Sequence, residues 1–128
     1  MTYYFNKVLV DSFDNTIRNV TRALKDQGFG LLTDIDVQTT LKQKIGAEFR
    51  SYRILGACNP ALAHKALTVE DKIGVMLPCN VIVQDLGDGR IEVAAINPTA
   101  AMGTLNNASL TAIAEEVASK LQAVIAAL

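Results

Sequence analysis

Residues 54–60 read ILGACNP, and this stretch decides the fold because it joins a strand to a helix. The apolar run that ends at Cys58 is typical of a β-strand. Asn59 is a favourable helix cap, since its side chain can accept a hydrogen bond from a first-turn amide, and Pro60 suits the first helical position. The segment therefore predicts a strand that ends at Cys58 and a helix that begins at Pro60.

The same alternation of strands and helices extends in both directions along the chain. Apolar and β-branched runs predict strands over 2–10, 28–37, 49–58, 79–86 and 90–96. Apolar stripes predict helices after Ser12, Asp36 and Asn59, and a last helix over 109–128. Gly87-Asp88-Gly89 predicts a tight hairpin, and residues 97–108 are expected to form a loop.

The resulting order is β-α-β-α-β-α-β-β-α, which indicates an α/β (α+β) two-layer sandwich in a single domain over residues 1–128. Each helix carries one apolar stripe and therefore needs one packing partner. We accordingly predict a mixed sheet that is covered by helices on one face. Phe5 and Leu9 are expected on the uncovered face, where a second subunit would bury them, and this favours a homodimer.

Composition narrows the class of protein. Lys and Arg total 12 and Asp and Glu total 13, a balance that speaks against nucleic-acid and anionic-membrane partners. The start, MTYYFNKVLVD, lacks signal-peptide features, and Glu115, Glu116 and Lys120 interrupt the most apolar helix, so no membrane span is expected. We therefore predict a cytoplasmic protein whose two cysteines are free thiols.

Two longer motifs, YRILGACNPALAHKAL over 52–67 and IGVMLPCNVIV over 73–83, resemble the domain-of-unknown-function 302 family of bacteria and archaea. The matching positions are Tyr52, Ile54, Leu55, Gly56, Cys58, Asn59, Pro60, Ala63, Ala66, Leu67, Gly74, Leu77, Pro78, Cys79, Gly89 and Pro98. The resemblance covers almost the whole chain. It implies a small two-layer domain, often a dimer, with no established activity. It also hints at sulfur chemistry, because some family members lie beside or are fused to sulfur-carrier proteins.

The candidate site is centred on Cys58, Asn59 and Pro60, with Cys79 and Tyr52 as neighbours. A thiol beside a helix start is favoured as a thiolate by the helix dipole, and free first-turn amides can hold an anion. The alternative is that Cys58 and Cys79 are small apolar residues of the core. Tyr52 would share a strand face with Glu48 and Arg50; these residues either line a polar entrance near Cys58 or, as the sequence favours, form an exposed strand start.

Other kinds of site receive less support from the sequence. Two cysteines with His64 would supply three zinc ligands, but the spacing lacks a CxxC or HxxxH pattern, so no metal site is predicted. The glycines of residues 28–30 and 87–89 do not form a phosphate loop, and no cofactor is predicted. Asp34, Asp36 and the hairpin carboxylates are interpreted as cap and turn residues.

Three functions remain open. The first is a non-enzymatic module that binds a small anionic or sulfur-containing ligand at the Cys58-Asn59-Pro60 helix start. The second is a thiol-dependent sulfur carrier or redox protein, in which Cys58 accepts sulfur and Cys79 resolves it. The third is a dimeric assembly protein with purely structural cysteines. The first is preferred because a binding site needs only groups that the sequence already provides, whereas an enzyme needs partners that the sequence does not reveal.

Overall fold

The computed structural model describes residues 2–128 as one sheet with helices packed against it. The strands are β1 (Tyr4–Val10), β2 (Gly30–Asp36), β3 (Tyr52–Cys58), β4 (Cys79–Gly87) and β5 (Arg90–Ile96). The helices are α1 (Phe13–Asp26), α2 (Val37–Ile45), α3 (Pro60–Val69), α4 (Pro98–Met102) and α5 (Ala108–Ala126), with a 3-10 helix at Asp71–Met76. Over this part of the chain, every helix is too short or too polar to cross a lipid bilayer.

Polar caps determine where the longer helices begin. In each case the capping side chain accepts a hydrogen bond from a backbone amide of the first turn, which would otherwise lack a partner. The caps of α1, α2, α3 and α5 are Ser12, Asp36, Asn59 and Asn107. The first three starts are those predicted from the sequence, and Gly46, with a φ of 66°, ends α2 as expected.

The predicted α+β class and two-layer arrangement are confirmed, but the sheet is antiparallel throughout and not mixed. Its strand order is β1-β5-β4-β3-β2, and every neighbouring pair is antiparallel. The strands β1 and β2 do run in the same direction, yet they lie at opposite edges of the sheet. The connection through α1 thus carries the chain across three other strands, and no parallel pair forms.

The main core lies between the sheet and helices α1 and α5. From the sheet it takes alternate residues such as Leu55, Val81 and Val93, which are fully buried. Phe5 and Leu9 pack against this core, so their predicted position on the uncovered face was wrong. The error is one of register: residues of β1 alternate between faces, and the uncovered face carries the even-numbered ones instead.

Residues 97–108 are not one loop, because α4 forms at Pro98–Met102. The Asn97 side chain accepts a hydrogen bond from the amide of Thr99 at 3.2 Å and donates one to the carbonyl of Thr2 at 3.2 Å. Asn97-Pro98 is the same helix-start pair as Asn59-Pro60. The sequence therefore contained the signal for this helix, and the signal was overlooked.

Gly56 in β3 permits a close contact between neighbouring chain segments. A Cβ atom at this position would lie 2.1 Å from the Thr33 hydroxyl oxygen and 2.8 Å from Pro78 Cγ. Both distances are far below van der Waals contact. A glycine at position 56 thus lets β2 and the start of β4 approach β3 closely.

We expect Gly56→Ala to lower the free energy of unfolding by about 1–3 kcal/mol, because the added methyl group must displace Thr33 and Pro78. Urea denaturation followed by circular dichroism measures the change. The matched control is Gly30→Ala, in the neighbouring strand, where a Cβ atom has no other atom within 4 Å. Equal stability of the two variants would contradict the close-contact explanation.

Candidate functional site

A cavity of about 310 Å³ lies where β3 ends and β4 begins. Helices α3, α4 and α5 and the 3-10 helix form its other walls. It lies at the junction between the main core and a smaller cluster of Ala66, Ile73 and Leu110. Leu77 packs against both clusters and lines the cavity. The cavity is therefore part of the packing arrangement between two cores.

The walls of this cavity are almost entirely apolar. Asn59 is the single side chain with an amide, hydroxyl or charged group among the described residues that line it. The remainder are aliphatic, aromatic, glycine, proline, cysteine and methionine residues, including Phe29, Leu62, Leu67, Leu110, Ile113 and Val117. Such a surface offers dispersion contacts and few hydrogen bonds to a ligand.

The structure brings together three of the five predicted site residues. Cys58, Asn59 and Cys79 all line the cavity. Pro60 is exposed and does not line it. Tyr52 lies at the opposite end of β3 and lines a separate depression on the uncovered face of the sheet.

The alternative of a polar entrance formed by Glu48, Arg50 and Tyr52 fails, because these residues are likewise remote from Cys58. The Arg50 guanidinium lies 5.8 Å from the centroid of the Tyr52 ring and donates a hydrogen bond to Gln84 Oε1 at 2.8 Å. Glu48 pairs with Lys42. These groups lie before or at the start of β3, whereas Cys58 is its last residue.

The backbone at the start of α3 has little capacity left for an anion. The Leu62 amide donates to Asn59 Oδ1 at 3.3 Å, and the Ala63 amide donates to the Asn59 carbonyl at 2.9 Å. Pro60 has no N–H group. Within the described structure, these bonds leave the Ala61 amide as the remaining donor of the first turn. The helix dipole still favours negative charge here, but a cluster of free amides is not present.

The two cysteines are free and occupy different environments. Cys79 is buried in the main core beside Val81 and Val83, and Cys58 is partly exposed. Burial raises the pKa of the Cys79 thiol to about 11, and the nearby Cys58 adds to the increase. Cys79 is therefore a protonated thiol at neutral pH, as the core interpretation requires, although it also lines the cavity.

The polar residues that the sequence offered as other sites lie elsewhere. His64 is exposed on α3 and does not line the cavity. Asp36 caps α2, and Asp34 pairs with Arg53, whose guanidinium hydrogen bond lowers the pKa of the Asp34 carboxyl. Residues 2–128 contain no cluster of three or more His, Cys, Asp or Glu side chains that could hold a metal ion.

Sequence and structure comparisons identify the family. The model of the family described as domain of unknown function DUF302 matches residues 5–128. The chain belongs to this family. It is also similar to the crystal structure of an uncharacterised conserved DUF302 protein from Bacillus stearothermophilus, with 27% identity and a TM-score of 0.91. That likeness covers 99% of this chain and 98% of the other. Comparison with curated proteins gives no match.

Membership explains the motifs and leaves the activity open. Of the family-like positions, Gly56 and Pro78 meet at the close contact described above. Cys58, Asn59 and Cys79 meet at the cavity wall. The residues that the sequence reasoning missed are the apolar ones of α5, such as Ile113 and Val117. Their signal in the sequence was the apolar stripe of the last helix, which also contains residues of the main core such as Leu121 and Val124.

We expect the two thiols of the native, reduced protein to react with iodoacetamide at different rates. At pH 8, Cys79 should remain unlabelled, because it is buried and its raised pKa keeps it protonated. Cys58, which is partly exposed, should label first. Peptide mass spectrometry measures both sites, and labelling in urea provides the fully accessible reference. Rapid labelling of Cys79 at pH 8 without unfolding would contradict this assignment.

Proposed function

We propose that this protein binds a small, predominantly apolar molecule in the cavity between α3 and α5. The observation that carries the proposal is the cavity itself, whose described lining has one polar side chain, Asn59. Its volume of about 310 Å³ is at the lower end of the range typical of ligand sites. Leu32 and Leu67, which line it, are 66% and 43% exposed, which supports access from solvent.

The size and chemistry of the walls narrow the ligand class. A volume of about 310 Å³ accommodates roughly ten methylene-sized groups if each occupies about as much space as a water molecule. Asn59 and Cys58 offer one hydrogen-bonding group and one polarisable sulfur at the wall. A ligand with a thiol, thioether or hydroxyl end fits this lining better than an anion does. The anionic version of the sequence hypothesis is therefore the less favoured one.

The sulfur-carrier hypothesis has partial support. Cys58 and Cys79 both line the cavity, but Cys79 pairs with Ala57 across the β3–β4 ladder, so strand alternation directs the Cys58 side chain to the other face. A resolving cysteine must also act as a thiolate, and burial raises the pKa of Cys79 to about 11. We therefore rank this function below reversible binding. The two free thiols also support the inferred cytoplasmic location, where cysteines stay reduced.

The proposal is tested with the neutral fluorophore 1-aminonaphthalene, which is small enough for this volume, and the competitors decanol, decanethiol and decanoate. We expect the fluorophore to bind and the two uncharged competitors to displace it more strongly than decanoate does. Ala63 lines the cavity, so Ala63→Leu should weaken binding about tenfold by occupying ligand space.

The matched control is Ala61→Leu, because Ala61 lies on the same helix, is exposed and does not line the cavity. Its affinity should equal that of the wild type. Equal binding by both variants would place the fluorophore outside the cavity. Displacement by decanoate alone would favour the anionic ligand.

We also infer that the uncovered sheet face binds a second copy of the chain. This face exposes Tyr4, Val8 and Ile35, which are 37%, 47% and 46% exposed. It carries a carboxylate, Glu92, and a guanidinium, Arg50, so two copies related by a two-fold axis could place opposite charges across from one another. An exposed apolar sheet face is characteristic of interaction surfaces.

Val8→Asp should dissociate this homodimer, since it would bury a carboxylate without a partner in the apolar interface. Analytical ultracentrifugation over a concentration series measures the effect. Val75→Asp is the control, because Val75 is 89% exposed on the 3-10 helix, away from this face. A monomeric wild type, or a dimer that Val8→Asp leaves intact, would refute the interface.

A further inference from the structure

A chain of hydrogen bonds crosses the uncovered face of the sheet. The Arg50 side chain donates to Gln84 Oε1 at 2.8 Å, and Gln84 Nε2 donates to Glu92 Oε1 at 2.7 Å. The Phe49 ring also contacts the Arg50 guanidinium, which lies 4.3 Å from the ring centroid. The Glu92 carboxylate accepts a further bond from the Asn6 side chain at 2.9 Å. A guanidinium and a carboxylate are thus held on opposite sides of the Gln84 amide.

Neither of these two charges has an ionic partner within residues 2–128. The ion pairs over this range join other residues, namely Lys42 to Glu48, Arg53 to Asp34 and Lys72 to Asp71. Water stabilises an exposed charge, but an interface that excludes water needs an opposite charge for each one that it buries. A second copy on this face must therefore present a carboxylate to Arg50 and a guanidinium to Glu92.

The two charges lie on either side of the middle of the sheet. Gln84 belongs to β4, which is the central strand of the five. Its direct cross-strand neighbours are Tyr52 in β3 and Glu92 in β5. Arg50 precedes β3 and reaches Gln84 from that side. The positive charge is therefore on the β3 side of β4 and the negative charge is on the β5 side.

This placement distinguishes two arrangements of a face-to-face homodimer. Two sheets that face each other can be related only by a two-fold axis in the plane between them. An axis that crosses the strands over Gln84 would place Glu92 opposite the partner's Glu92, and Arg50 opposite the partner's Arg50. An axis that runs along β4 exchanges its two sides, so Glu92 lies opposite the partner's Arg50. The second arrangement is favoured, because like charges across an interface repel strongly.

Apolar residues of complementary size meet about the same axis. Ile54 in β3 and Ala94 in β5 both pair with Ile82, one on each side of β4. The rotation therefore places the partner's Ile54 over Ala94, a small residue that lines the depression of about 390 Å³ on this face. It also brings Val8 in β1 towards the partner's Ile35 in β2, since these strands form opposite edges of the sheet. The exposed apolar residues at both edges are then covered.

We propose that two copies pack through their uncovered sheet faces about a two-fold axis that runs along β4 above Gln84. Two reciprocal ion pairs then join Glu92 of each copy to the partner's Arg50. This arrangement rests on the homodimer proposed above and specifies which residues meet. It keeps the strands of the two sheets aligned at a separation of about 10 Å, as in other packed sheets. Long arginine and glutamate side chains span that distance from both sides.

The test reverses the charges in two separate variants, Glu92→Arg and Arg50→Glu. Each variant alone should self-associate about tenfold or more weakly than the wild type, because two-fold symmetry repeats the like-charge contact. In an equimolar mixture the two variants should form a heterodimer with close to wild-type affinity, since each altered side chain then meets an opposite charge. Analytical ultracentrifugation of each variant and of the mixture measures the recovery. A variant that failed to fold would show no such recovery.

Glu116→Arg and Lys72→Glu are the matched controls. They change the net charge of the chain equally, but Glu116 on α5 and Lys72 on the 3-10 helix are exposed away from this face. Each control, and their mixture, should associate as the wild type does. Tighter association in the mixed controls would assign the recovery to net charge and overturn the proposed ion pairs.

A second measurement uses the wild-type sequence alone. Within one copy, Ile54 and Ala94 lie two strands apart, about 10 Å, so a nuclear Overhauser contact between their methyl groups must arise between copies. A dimer of one carbon-13-labelled and one unlabelled chain should show this contact. Contacts of Ala94 with the partner's Ala94 would overturn the axis. A dimer that Val8→Asp dissociates, but whose charge variants do not recover on mixing, would refute this arrangement and retain the homodimer, whereas a monomeric wild type would refute both.

Discussion

The junction between β3 and α3 is the constraint on which the remainder of the site depends. Asn59 closes the first turn of α3 twice, through its side chain to Leu62 and through its carbonyl to Ala63. This places the helix immediately after the last ladder residue, Cys58. Helix α3 then packs chiefly against α5 and the 3-10 helix, not against the sheet. Because α3 does not pack against the sheet, a space remains between α3 and the end of β3, and the cavity occupies this space.

The close contact at Gly56 determines the position of the cavity wall that is formed by the start of β4. Because position 56 has no side chain, Thr33 and Pro78 lie against the backbone of β3. Pro78 immediately precedes Cys79, which begins β4 and lines the cavity. A shift of Pro78 would therefore move Cys79 as well. The glycine that serves strand packing also positions one of the two thiols.

Local sequence signals predicted most helices and strands. The strand order and the faces of β1 depend on non-local packing and were not predicted. Helix caps such as Asn59, and the hairpin at residues 87–89, act within a few residues, so the sequence specifies them directly. The antiparallel order depends on how α1 crosses the sheet, and no local pattern encodes that path. The faces of β1 were reversed for a related reason: partial alternation allows either register until the partner strand is known.

The candidate site likewise has a part that local sequence signals predicted and a part that depends on non-local packing. Cys58 and Asn59 were predicted because a helix start has a local signature, and their place at the cavity wall follows from it. Tyr52 was grouped with them on strand-face parity, which ignores that it lies six residues away along an extended chain. One apolar wall comes from α3, which directly follows Cys58, but the wall facing it comes from α5, far along the sequence. An apolar stripe on a helix does not reveal whether it will face a filled core or an open space.

The cavity itself is the feature that packing alone explains least. Protein interiors are normally filled to the density of organic crystals, with few voids larger than a water molecule. Atoms that line an empty apolar space lose dispersion contacts, and larger side chains would recover them. Here alanines at positions 63, 66 and 114 keep the space open, although α3 and α5 tolerate leucine and isoleucine elsewhere on the same walls. Natural proteins commonly retain such a loss of stability where function requires it. An apolar molecule in the cavity would supply such contacts, and this is the physical basis of the proposed binding role.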